Sequence, residues 1–155
     1  MLISIESNHE SWMRVALEEA DVASCSGEIP IGAILVAGDR IVGRGHNRSI
    51  ELSDPTGHAE MMALRDAGVR VENYRLPETI MYVTVEPCPM CAGALLHARV
   101  GGLVFGAREP KFGAAGSVIN LLESPLVNHR CQVVAGILEA NCRTRLEQFF
   151  RQRRL

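Results

Sequence analysis

The stretch Thr79-Ile80-Met81-Tyr82-Val83-Thr84-Val85-Glu86-Pro87-Cys88-Pro89-Met90-Cys91 decides the fold. Its first seven residues are rich in Val, Ile, Thr and Tyr, which suit a buried, pleated strand. The run breaks at Glu86-Pro87, and a helix is predicted from about Cys88 to Ala98, with proline at the tolerated start. A strand feeding directly into a helix is the unit of an α/β fold, in which sites form where strand ends meet helix starts. Cys88 and Cys91 are three residues apart, so on a first helical turn they are neighbours and can share one metal ion.

Working outward, a polar segment from Arg48 to Asp54 leads to Pro55-Thr56-Gly57 and a helix predicted over His58 to Ala67, which Gly68 ends. His58 then also lies at a helix start. Both helix starts direct partial positive charge and free N–H groups toward the site, which favours the ionised thiolate. One histidine and two cysteines are donors that zinc takes, and three protein ligands leave the fourth tetrahedral position to water. Two thiolates cancel the formal charge of the ion, so a nearby base becomes more necessary. Glu60 fills that place, with general acid–base assistance worth about 10² to 10⁴ in rate. These residues read as a zinc hydrolase. A lone CxxC is also a redox pair or half of a structural zinc site, and His97 or Cys131 can serve as a fourth ligand closing such a site.

Upstream, Ser7 or Asn8 can cap a first helix on which Trp12, Met13, Ala16, Leu17, Ala20 and Ala23 share one face. It stops around Ser26-Gly27-Glu28. Ile31 to Ala37, then Ile41 and Val42, read as two strands joined at Gly38-Asp39. Downstream, Gly102 to Ala107 and the shorter Gln132 to Ala135 read as strands, and Ile137 to Arg153 as a closing helix carrying Phe149 and Phe150. Strands alternating with helices after an initial hairpin predict a three-layer α/β/α sandwich with a mixed central β-sheet. At 155 residues, one domain spanning 1–155 is expected, with the basic C-terminal helix (about 137–154) part of it.

With 47% hydrophobic and 22% charged residues and no repeat, the composition is that of a soluble globular protein rather than a disordered one. The N-terminus lacks the basic start and apolar core of a signal peptide and no apolar run approaches a membrane span, so no membrane partner and a cytoplasmic location are expected. Five cysteines are an odd number for a disulfide framework. Cys25, Cys131 and Cys142 are expected to be buried small hydrophobes. The net charge of −2 is unevenly spread: residues 143–155 hold five arginines against Glu147 alone, a local +4.

The HxE and PCxxC runs together match the signature of zinc-dependent nucleobase deaminases. From about Trp12 to Arg154 the chain resembles the bacterial tRNA-specific adenosine deaminases of the cytidine-deaminase-like superfamily. The resemblance rests on Glu28-Ile29-Pro30-Ile31-Gly32-Ala33, on Asp54-Pro55-Thr56-Gly57-His58-Ala59-Glu60, and on Tyr82 to Ala94. It continues through Val104-Phe105-Gly106-Ala107-Arg108, Gly113-Ala114-Ala115-Gly116-Ser117 and Asn128-His129-Arg130. Gly57 departs from the alanine expected there, and Glu109-Pro110 from an aspartate and a small residue.

The resemblance implies hydrolytic deamination of adenosine to inosine at the wobble position of a tRNA anticodon stem-loop, with one Zn(2+) per subunit on His58, Cys88 and Cys91. It makes Glu60 the catalytic proton carrier for a water attacking C6. It puts Asn47 on the base, the Ala59 backbone N–H beside it, and Ile29 along the pocket. It also makes Arg108, Glu109, Lys111, Phe149, Phe150, Arg151 and Arg153 a surface that grips the anticodon loop, and implies a homodimer. Two other functions use the same residues. A free nucleobase or nucleoside deaminase has no use for the clustered C-terminal arginines, and a non-catalytic RNA-binding protein with structural zinc has no use for Glu60.

Overall fold

In the computed structural model, which describes residues 8–153, Thr79–Val85 forms the middle strand of a five-stranded sheet. In chain order the strands are β1 (Gly32–Ala37), β2 (Arg40–His46), β3 (Thr79–Val85), β4 (Gly102–Ala107) and β5 (Gln132–Ala135), and the order across the sheet is β2-β1-β3-β4-β5. β1 runs antiparallel to both β2 and β3, whereas β3, β4 and β5 are parallel, so the sheet is mixed, as expected. The helices are α1 (His9–Cys25), α2 (Ser49–Leu52), α3 (Ala59–Val71), α4 (Pro89–His97) and α5 (Glu139–Arg153).

Alternation along the strands divides the core into two layers. Leu35, Val83 and Phe105 face one way and pack with Ala63 of α3 and Leu95 of α4. Ile34, Tyr82 and Val104 face the other way, against Met13 and Leu17 of α1 and Cys142 of α5. Each large side chain fully buried this way contributes about 1.5–3 kcal/mol. Two helices above and two below complete the α/β/α sandwich. Among the described residues, no helix is long and apolar enough to cross a membrane.

β2 continues to His46, four residues beyond the predicted Val42. Gly43 and Gly45 lower strand propensity, but α3 lies so close here that a Cβ on Gly45 would meet Ala59 O and Ala63 N, each at 2.4 Å. α3 also passes through Gly68 and ends a turn later, with Glu72 in the left-handed region (φ 56) donating its N–H to Gly68 O. The connector from Arg48 to Asp54 contains α2, whose first free N–H groups are taken by Glu28: Ile50 N and Glu51 N donate to its two carboxylate oxygens at 3.1 and 2.8 Å. Asn8 occupies the N-cap of α1 without a side-chain capping bond, and α5 begins at Glu139 rather than Ile137. Ser7 and Arg154 lie outside the described residues. Cys131 and Cys142 are buried as expected; Cys25, on the last turn of α1, is exposed.

Candidate active site

The parallel pair β3 and β4 ends where α3 and α4 begin, and both helix starts carry predicted ligands. His58 is the N-cap of α3 and Cys88 the N-cap of α4, both with extended backbone, and Pro89 opens α4. Cys91 follows on the first turn of α4. His58 Nδ1 stands 3.6 Å from Cys88 Sγ and 3.5 Å from Cys91 Sγ. These three donor atoms lie within 4.8 Å of one another, a group that could hold a metal ion, and neither His97 nor Cys131 joins it.

The electrostatics are those of a cation site. The Cys91 thiol and the His58 ring beside it hold the Cys88 thiol down to about 4, which favours its thiolate form. Cys91 is pushed up by its hydrogen bond with Cys88 and by burial, and a cation bound between the two sulfurs favours the thiolate form of both. Glu60, on the first turn of α3, is 4% exposed, and burial raises its carboxyl to about 7. A buried carboxyl of that acidity beside a metal-binding group is suited to moving protons near neutral pH.

His58, Cys88 and Glu60 line a cavity of about 310 Å³, together with Ile29, Asn47, Glu109 and Phe112. Asn47, just past the end of β2, accepts the Ala59 N–H through Oδ1 at 2.9 Å. The Ala59 N–H is thereby engaged by Asn47 at the first turn of α3. Asn47 Nδ2 has no acceptor among the described residues.

A second groove, of about 550 Å³, adjoins the cavity and is lined by Arg108, Glu109, Lys111, Arg143, Phe150 and Arg151. Glu109 lines both. Two predicted surface residues are not part of it. Phe149 is buried, whereas Phe150 is 43% exposed. Arg153 turns back onto the fold, its guanidinium 4.5 Å from the Phe149 ring and its Nη2 donating to Gly27 O at 2.6 Å. Arg145 pairs with Asp21 at 2.8 Å, and Arg143 with Glu139.

Sequence reasoning missed Glu86, which appeared only inside a motif. It is 3% exposed and lines the cavity, and its carboxylate accepts four hydrogen bonds from residues 109–117. An acidic residue ahead of a proline gives no sign of this in sequence, because three of its donors are backbone N–H groups.

A mixed sheet with a His/Cys/Cys group and a buried carboxylate at two helix starts is the arrangement of the deaminase class. A family model described as MafB19-like deaminase matches residues 7–154. The chain is 50% identical over 146 residues to the tRNA-specific adenosine deaminase of Haemophilus influenzae, covering 94% of this chain and 84% of that protein. It is 43% identical over 145 residues to the enzyme of the same name from Bacillus subtilis, covering 94% and 90%. A solved structure from work on A-to-I editing by tRNA:A34 deaminases at the wobble position superposes with a TM-score of 0.84 at 40% identity, covering 88% of this chain and 99% of the other. The chain belongs to the tRNA-specific adenosine deaminase family.

Proposed function

We propose that this chain is a zinc-dependent hydrolase that converts adenosine to inosine at the wobble position of a tRNA anticodon. The observation that carries this reading is the shared wall at Glu109: a cavity sized for one base is lined by His58 and Cys88 of the metal-binding group and by Glu60, and it adjoins an arginine-lined groove. A base extruded from a single-stranded loop enters the cavity, while the groove attracts the neighbouring phosphates.

The donor set fits zinc. Bonds of about 2.3 Å to sulfur and about 2.0 Å to nitrogen at tetrahedral angles set the two donor types about 3.5 Å apart, which is the spacing of His58 Nδ1 from both sulfurs. When bound, zinc leaves one position for water and makes that water more acidic, which supplies the nucleophile. Glu60 takes a proton from the attacking water and delivers it to N1 of adenine. The C6–N6 bond then breaks, and the second water hydrogen leaves with the ammonia. Asn47 fixes the turn carrying His58 and Glu60 through Oδ1 and presents Nδ2 to the base. Ile29 and Phe112 give the base apolar walls and help exclude water.

On the same reading residues 1–155 form one deaminase domain, the protein works in the cytoplasm where tRNA is, and it is a homodimer. Sedimentation at working concentrations tests the last point, and a monomer would remove it. The function is tested by comparing an anticodon stem-loop bearing a wobble adenosine with free adenosine, cytidine and guanine, zinc being counted on the same sample. Inosine in the stem-loop at a rate far above any small substrate is the expected result. Equal turnover of a free base or nucleoside would replace this reading with a small-molecule deaminase.

A further inference from the structure

Glu86 lies between the last residue of β3 and the first metal ligand of α4, yet no step above uses it. Its Oε1 accepts the Glu109 N–H at 3.1 Å and the Ser117 hydroxyl; its Oε2 accepts the Ala115 and Ser117 N–H groups, each at 3.0 Å. The adjoining backbone binds the same segment, with Glu86 N donating to Ala107 O at 2.8 Å and Ala114 N donating to Pro87 O at 2.9 Å. Hydrogen bonds to a charged acceptor are the stronger kind, and four on one buried carboxylate fix the geometry of the chain that supplies them.

The segment is shaped to sit on this carboxylate. A Cβ on Gly113 would lie 2.5 Å from Glu86 Cδ and 2.6 Å from Glu109 O, so only glycine lets the loop descend this far. Inside the loop, Gly113 N donates to Glu109 O at 2.9 Å and Val118 N to Gly113 O at 3.0 Å, which closes it into a compact turn. From this turn Glu109 and Phe112 form one wall of the cavity that holds His58 and Glu60, and Glu109 also faces the arginine-lined groove.

We propose that Glu86 is a positioning residue: it fastens the 109–117 loop to the root of the metal-ligand helix, so that one carboxylate sets the distance between the metal-binding group and the loop that grips the substrate. This rests on the function proposed above for the cavity. Because the loop holds the base and its flanking strand but not the attacking water or its proton carrier, its contacts change little between ground and transition states, and loosening it raises KM more than it lowers kcat.

Two variants disturb the clamp from opposite sides. Glu86→Gln presents an amide N–H₂ to N–H donors, and Gly113→Ala pushes the loop away while leaving the carboxylate intact. Each is assayed on the wobble-adenosine stem-loop with zinc content measured, and amide hydrogen exchange at Glu109, Ala115 and Ser117 is followed by NMR. In both variants the clamp predicts a KM about tenfold higher or more, kcat within about threefold, zinc retained, and exchange at those three amides faster by about tenfold or more. Unchanged KM and unchanged exchange in both variants would overturn it, as would a fall in kcat with loss of zinc and no change in KM. If the wild-type protein makes no inosine, the function proposed above fails instead, and the exchange rates alone decide whether Glu86 holds the loop.

Discussion

Asn47 Oδ1 accepts the Ala59 N–H at 2.9 Å, joining the end of β2 to the first turn of α3 between His58 and Glu60. That bond separates two roles for one side chain. Asn47→Ala leaves the buried Ala59 N–H unpaired, which destabilises the protein by about 1–3 kcal/mol as well as abolishing activity. Asn47→Asp keeps the acceptor but removes the Nδ2 donor. It is expected to retain the metal and to lose roughly 10²-fold in kcat/KM. Denaturant unfolding and stem-loop kinetics on the two variants check the separation.

The two exposed arginines near the end of α5 are predicted to behave differently. Arg151 lines the groove, so Arg151→Ala weakens stem-loop binding and reduces the slope of log K against log salt by about 0.7. Arg153 is bonded to Gly27 O and stacked on Phe149, so Arg153→Ala changes stability by under about 1 kcal/mol and leaves the salt slope unchanged. Binding isotherms between low and moderate salt distinguish them.

Metal removal should act on both chemistry and structure, because His58 starts α3 whereas Cys88 and Cys91 start α4. Chelation is expected to abolish inosine formation and lower Tm, and stoichiometric zinc to restore both. Activity that survives quantitative metal removal would refute the assignment of the three ligands.

His9 supplies a pH test far from the metal-binding group. Its Nδ1 lies 2.9 Å from the Tyr82 hydroxyl beneath α1, and burial lowers its pKa from the usual 6.5. The unfolded chain therefore binds more protons than the folded one just below pH 6.5, and this histidine's share of stability is lost as pH falls through that window. His9→Gln has no such proton to bind. The stability difference between wild type and His9→Gln is thus largest above pH 7 and narrows toward pH 5.5, which chemical denaturation at the two pH values measures.

The group that could hold a metal was legible because its spacing has a local meaning: Cys88 and Cys91 share one helical turn, and the strand before them is continuous in Val, Ile, Thr and Tyr. What could not be read depends on partners distant in sequence. Gly45 reads as a strand breaker until α3 comes close enough to exclude any Cβ. α2 is too short to stand alone and is held by Glu28, 22 residues upstream of Ile50. Gly68 reads as a helix stop, but its carbonyl accepts the bond that ends α3 one turn later. Phe149 and Phe150 are adjacent and chemically alike, and only the packing of α5 makes one core and the other surface. Arg153 reads as free charge until Gly27 O is found beside it.

Glu60→Ala removes the buried carboxyl proposed to move the protons of a metal-assisted hydrolysis on RNA. Zinc content and inosine formation in a wobble-adenosine stem-loop are measured on the same preparation of wild type and variant. The expected result is one zinc per chain in both, with deamination by the variant lower by about 10² to 10⁴ or more. A variant that keeps its zinc and makes inosine at the wild-type rate would show that Glu60 does not carry the protons.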